Sequence, residues 1–386
     1  MKNWGQLGMK CKLSDVCNFR KGKVSVSGLS KKTYISTENM LPNKGGVTKA
    51  SSLPAVEVTQ EYRKGDILVS NIRPYFKKIW QAKYDGGCSN DVLVFRGNQN
   101  IDKDFLYYTL VNDEFFAYSM ATSKGTKMPR GDKVSIMQYQ VPVFDINTQK
   151  KIANVLKVLD EKIELNTMIN NNLAQQAQAI FSQEFLTLKT LPVGWKKSSL
   201  IDIADYLNGL AMQKYRPSVG ETGIRVLKIK ELRQGCCDDN SDLCSPNIKS
   251  EYIIHNGDVI FSWSGSLLVD FWCGGICGLN QHLFKVTSNK YDKWFYYAWT
   301  KHHLDRFIAV AADKATTMGH IKRNELAKAE VLIPNEIDYN RIGNMLQPIY
   351  NLIITNRIEN KKLAETRDIL LPKLMSGELD VSNIKI

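Results

Sequence analysis

Apolar residues recur in steps of four, three and four at Ile152, Leu156, Leu159 and Ile163. The same steps continue through Asn166, Asn170, Leu173, Ala177 and Ile180. This is the spacing of a coiled-coil seam. Adding 190 to each number gives a second seam: Ile342, Leu346, Ile349, Ile353, Asn356, Asn360, Leu363, Arg367 and Leu370. Both seams place two Asn in mid-stripe. The pattern predicts two long helices, over 147–186 and 338–378, that pair antiparallel. In the simplest register Asn166 faces Asn360 and Asn170 faces Asn356. Buried amides that meet in one alignment penalise slipped ones; the alternative is that the Asn layers face a partner. Pro348 either kinks the second helix or marks its true start, and Ser376-Gly377 ends it.

The chain between the helices repeats as well. Gly65-Asp66 leads into the apolar strand Ile67-Leu68-Val69-Ser70, and Gly257-Asp258 leads into Val259-Ile260-Phe261-Ser262. Asp102-Lys103-x-Phe105-x-Tyr107 returns as Asp292-Lys293-x-Phe295-x-Tyr297. Val141 and Val143 return as Val331 and Ile333. Leu13 to Gly22 returns as Leu200 to Gly209. Thr33–Ser36 and Asp91–Phe95 read as strands, Phe105–Met120 is helical in pattern, and Cys11–Gly22 reads as a short amphipathic segment. Two copies of about 190 residues are domains and not stacked repeats. The predicted organisation is a first domain over 1–146, a long helix over 147–186, a second domain over 187–337, a second long helix over 338–378 and a tail over 379–386. The expected class is α+β: two mixed α/β domains related by a pseudo-twofold axis and joined by two antiparallel helices.

Composition adds a polyanion partner. Of a formal charge of +13, residues 1–146 carry +9, and the first long helix is neutral. The excess sits on the globular parts, as a nucleic-acid binder requires. The opening MKNWGQLGMKCKL has no apolar core, and no run of 18 apolar residues follows. Neither a secretory leader nor a membrane span is expected, and the cytoplasm is the expected location. Eight cysteines then read as thiols in a reducing compartment. Only Cys273 and Cys277 approach a ligand spacing, and no metal site is expected.

Chemistry of other kinds is missing from the pattern. There is no Pro-Pro anywhere, so no Asn/Asp-Pro-Pro-aromatic loop holds an exocyclic amine for methylation. No glycine-rich cofactor turn follows a strand, and no GxxxxGK[ST] phosphate loop marks a motor. No catalytic residue and no cofactor of its own are expected.

Taken together, the tandem duplication, the GDILVS and GDVIFS strands and the loops SKGTKMPRGDKV and ADKATTMGHIKR resemble one family. Each loop leads to VPV or VLIP, and then to a long helix such as QKKIANVLKVLDEKIELN; the ending ETRDILLPKLMSGELDV fits too. The chain resembles, over essentially its whole length, the specificity subunit of type I restriction–modification enzymes. The resemblance implies a non-catalytic subunit whose two target-recognition domains each read half of a split DNA sequence. It implies that the helices space the domains and dock two modification (methyltransferase) subunits. Those subunits bind S-adenosylmethionine, and motor–nuclease restriction subunits join them in the family.

Carried over by position, the DNA contacts expected in the first domain are Arg20, Lys21, Lys23, Arg73, Tyr75, Lys77, Lys127 and Arg130. In the second they are Lys214, Tyr215, Arg216, Ser264, Thr316, Thr317, His320, Lys322 and Arg323. The stretch at Gly265-Ser266 lacks the basic run of Arg73–Lys78, so the two readers are expected to differ in chemistry. Two other classes stay open on the residues alone: a self-contained DNA-modifying enzyme with an unrecognised motif, and a coiled-coil adaptor for protein partners.

Overall fold

In each half of the chain one buried strand forms the centre of an antiparallel sheet. Ile67–Ser70 and Val259–Ser262 are buried at every position, so side chains on both faces must find apolar cover. The computed structural model describes residues 9–313, 321 and 323–384. It divides into two compact units. One holds the residues up to Glu161 and from Leu363 on, and the other holds Lys162–Lys362. Each unit therefore takes a share of both long helices, which the sequence reading sets apart as segments of their own.

The first unit's antiparallel sheet runs Cys17–Phe19, Val92–Gly97, Ile67–Ser70, Ile79–Gln81. The second unit's runs Asp205–Asn208, Leu283–Thr287, Val259–Ser262, Leu268–Phe271. Each unit adds a two-stranded pair, Lys10–Lys12 with Gln140–Pro142 and Lys196–Ser199 with Glu330–Ile333. The segment over 11–22 is thus strand, one helical turn, strand. In its counterpart the turn's Asp202 accepts from the Ser199 backbone N–H at 2.9 Å.

A further four-stranded sheet is where the copies diverge. Both place a central strand, Gly86–Cys88 or Cys277–Leu279, between a parallel neighbour (Tyr34–Ile35 or Ile224–Leu227) and an antiparallel one (Val58–Tyr62 or Ile253–Ile254). The fourth strand is added on opposite sides. Lys23–Ser25 joins the antiparallel neighbour in the first unit, and Leu243–Cys244 joins the parallel neighbour in the second.

The stretch Phe105–Met120, helical in pattern, is helical in the structure and is divided between two helices, Lys103–Val111 and Asp113–Ala121. Asn112 between them is extended in ψ, and its side chain accepts from the Glu114 N–H at 3.2 Å. An Asn at this position starts a new helix better than it continues an old one.

The long helices span Ile146–Phe181 and Glu336–Ser376. Pro348 lies inside the second and does not start it. Within the second unit Asn166 Nδ2 donates to Asn360 Oδ1 at 2.9 Å, and Asn356 Nδ2 donates to Asn170 Oδ1 at 3.0 Å. Numbers rise on one helix as they fall on the other, so the helices of this pair are antiparallel. Leu173 packs with Ile353 in the same core. Within the first unit Ile152 and Leu156 share a core with Leu371 and Leu374. There Arg367, a charge in the apolar seam, reaches Asp160 at 2.7 Å, and Asp160 also accepts from the Tyr108 hydroxyl at 2.7 Å.

The Asn layers make a prediction about stability. Asn356→Leu alone is expected to cost about 1–3 kcal/mol, because it strands the buried Asn170 carbonyl oxygen. The loss in the double variant, Asn170→Leu with Asn356→Leu, is expected to fall well short of the sum of the two single losses, since no stranded polar partner remains. Urea denaturation of the four proteins in the cycle measures the difference. Strictly additive losses would show that the amides do not depend on each other.

Among the described residues no helix is long and apolar enough to cross a membrane.

Candidate nucleic-acid interface

In the first unit three loops meet at the exit of the strand Ile67–Ser70. The Asn71 N–H donates to Asp91 O at 2.8 Å, the Arg73 N–H to Pro129 O at 2.8 Å, and the Gly131 N–H to Asn71 O at 3.1 Å. The last two of these bonds tie the polar loop over 123–131 to the strand exit. A single 3-10 turn, Pro74–Phe76, follows, with Arg73 and Lys77 in left-handed backbone on either side, both at φ 50°. A third loop reaches the same turn: the N–H groups of Asn43 and Lys44 donate to Phe76 O and Lys77 O at 2.8 and 2.9 Å.

Asn43, Lys44, Arg73 and Lys77 are the non-glycine residues with positive φ among the described residues. Left-handed backbone costs a side chain on the order of 1–3 kcal/mol, and here four instances fall in two hydrogen-bonded loops. Asp113 holds the pair together, with Lys44 Nζ at 2.8 Å and Lys77 Nζ at 2.9 Å. Burial works to raise the Asp113 carboxyl, but the hydrogen bonds from Lys44 and Lys77 outweigh it and keep the group below its ordinary range. In the polar loop, bonds from Lys124 and then from Ser135 hold Asp132 down at about 2.

This surface brings together Arg73, Tyr75, Lys77, Lys127 and Arg130 of the expected contacts. Lys127 is exposed, and Arg130 is partly engaged by Asp91 at 3.3 Å. Lys78, the last of the basic run after the strand, joins them, and so does Lys44, which was not expected. Lys44 sits some thirty residues upstream, and its only local signal is the turn composition Asn43-Lys44-Gly45-Gly46. Arg20, Lys21 and Lys23 are elsewhere. Arg20 is bound by Asp66, at the start of the strand whose far end carries Arg73, and its side chain is 13% exposed. Arg20 and Lys21 line a separate groove of about 800 Å³ with Arg96, Asn98 and Asn100. Lys23 is exposed on the strand Lys23–Ser25.

In the second unit the same bond recurs at the strand exit, from the Ile321 N–H to Trp263 O at 3.0 Å. The residues beyond differ. Gly265, at φ 64°, stands where the first unit has left-handed Arg73. Ser264 is 2% exposed and offers no surface for DNA, which corrects the expectation for that residue. The missing basic run is partly replaced from another element: Arg233, exposed on the helix Ile229–Gln234, bonds Ser266 Oγ. Lys214, Tyr215 and Arg216 are exposed at the end of the turn Met212–Lys214, and Arg323 is exposed at the start of a short helix. Thr316, Thr317, His320 and Lys322 lie outside the described residues. Among the described residues no group of three or more His, Cys, Asp or Glu could hold a metal ion. Cys237 and Cys277, 3.4 Å apart at sulfur, are free thiols.

Two stretches, 8–175 and 192–365, match the type I restriction modification DNA specificity domain. The chain belongs to that family. The first specificity domain contains the three-loop surface, and the second contains the Trp263 exit and Arg233. Among curated relatives, the chain is 25% identical over 354 residues to the type I restriction enzyme MjaIX specificity subunit of Methanocaldococcus jannaschii, covering 84% of this chain and 79% of that protein. It is 22% identical over 433 residues to the HindI specificity subunit of Haemophilus influenzae, covering 90% and 94%. Among solved structures, the type I restriction–modification S subunit of M. genitalium shares the fold, with a TM-score of 0.55 at 16% identity, over 97% of this chain and 98% of that one. The chain thus has the organisation of a type I specificity subunit, with two tandem target-recognition domains.

Proposed function

We propose that this chain is the sequence-reading subunit of a type I restriction–modification complex in the cytoplasm, and that it has no catalytic activity of its own. The tandem specificity domain supports this most directly: each copy carries its own loops at the exit of the same buried strand. Each domain reads one half of a bipartite double-stranded target. Unlike loops give unlike half-sites, with a basic left-handed turn in one and Gly265 with Arg233 in the other. The long helices set the distance between half-sites and dock two modification subunits. S-adenosylmethionine and the methyl-transfer chemistry belong to those subunits, and motor–nuclease subunits add cleavage.

Methyl transfer from labelled S-adenosylmethionine tests the assignment. The purified chain is expected to transfer nothing. The chain with its modification subunits is expected to methylate two unlike blocks around a non-specific spacer. Transfer by the chain alone would establish a self-contained enzyme instead, and a complex that methylates without regard to sequence would remove the reading role.

A further inference from the structure

The turn Pro74–Phe76 presents two aromatic rings to solvent. Tyr75 is 48% exposed and Phe76 37%, with ring centroids 4.7 Å apart. Neither ring is needed by the core beneath, which is filled by Leu68, Trp80, Val92 and Val94. Yet the backbone that carries them is held firmly. Buried Pro74 anchors one end of the turn, Arg73 and Lys77 flank it in left-handed conformation, and Asn43 and Lys44 grip it from the neighbouring loop. Strain kept in place by this many bonds marks a segment shaped for contact with something else.

The surroundings say what that contact is. Lys78 Nζ lies 5.7 Å from the centre of the Phe76 ring. Half-buried Arg73 precedes the turn, its Nε lacking any hydrogen-bond partner, and exposed Lys127 lies on the loop bonded to Arg73. An apolar tip with cations around its base suits a stack of base pairs edged by phosphates.

We propose that Tyr75 and Phe76 form a wedge that enters between two base pairs of the first half-site, unstacks that step and kinks the duplex. The proposal rests on the reading of the first specificity domain as a DNA-binding domain. It assigns that domain a second means of recognition, since the ease of unstacking depends on the base step. Among the described residues of the second domain, no such wedge follows the matching strand. Its stretch after the strand is Trp263-Ser264-Gly265-Ser266, and the one aromatic there donates from Nε1 to Asn208 at 2.9 Å and stacks on Phe284 at 5.5 Å. Distortion is therefore confined to one half-site.

The test uses the full chain assembled with its modification subunits on a duplex whose target has been found by methylation-site mapping. 2-Aminopurine is moved step by step through both half-sites, and end-to-end energy transfer reports bending. Apart from the position of the methylated base, which modification subunits extrude in both half-sites, the wild-type complex is expected to give a several-fold rise in fluorescence at one step of the first half-site and none in the second. Tyr75→Ala with Phe76→Ala is expected to abolish the rise and the bend. Phe76→Leu keeps an apolar wedge and is expected to keep both. Lys127→Ala is expected to weaken binding and lower the salt slope by about one unit, with the rise intact once binding is saturated.

A wild-type complex that binds its target without unstacking any step overturns the wedge and leaves the DNA reading standing. So does a double alanine variant that still unstacks it, or one that binds DNA normally but loses its modification subunits, which would make the rings a protein contact. A complex that does not bind DNA overturns both readings.

Discussion

One extra heptad in each long helix, after Thr167 and after Arg357, is expected to lengthen the non-specific spacer of the DNA target by about one to three base pairs. Seven residues restore the phase of the seam, and each helix grows by roughly 10 Å at ~1.5 Å per residue. The insertion points respect the Asn register. Asn166, before the first insertion, still meets Asn360, after the second; Asn170 still meets Asn356. The helices should therefore pair as before. Ten ångströms is about three base pairs of rise, but the groove rotates as it rises, so bending of the DNA absorbs part of the change. Both specific blocks should be unchanged, because none of their readers is altered. Methylation-site mapping of the variant complex is the measurement. An active variant that keeps its original spacer would show that something other than the helix pair sets the distance. New specific blocks would show that the helices themselves read bases.

Replacing Arg73, Lys127 and Arg130 together by alanine is expected to weaken binding of the assembled complex by on the order of a hundredfold or more. The single changes separate the kinds of contact. A lost phosphate contact lowers the salt slope by about one unit and weakens all sequences alike. A lost bidentate base contact relaxes specificity by about 1–3 kcal/mol at one position. Arg73 is the candidate for the second kind, because its backbone is held in a conformation that glycine occupies in the other domain. Arg130, already near Asp91, is expected to contribute least. Titrations at several salt concentrations, with matched and mismatched first half-sites, distinguish these outcomes. Unchanged binding in the triple variant would move the contact surface away from these three loops.

The expected contacts that the three-loop surface does not include show where a sequence stops being informative. Arg20 and Arg73 look alike in the sequence, each a cation near an aromatic and a glycine or proline. Asp66 takes the first into an ion pair, while Arg73 is left at a loop junction. Ser264 looked like an exposed loop residue and is buried. Arg233 and Lys44 reach their loops from other elements, and neither has a local pattern that announces it.

The sequence by itself determined the duplication and, within each copy, what repeats with a short period: the helix seam, its mid-stripe Asn and the buried strand. These are local, because a side chain's face follows from its position along the helix or strand. The tertiary structure alone decided how the long helices are shared between the units, where the fourth strand of each second sheet is added, and which cations remain at the surface. Those outcomes depend on residues far apart in the chain, such as Asn43 bonding Phe76, and pairing energy between distant segments leaves no periodic trace in the sequence.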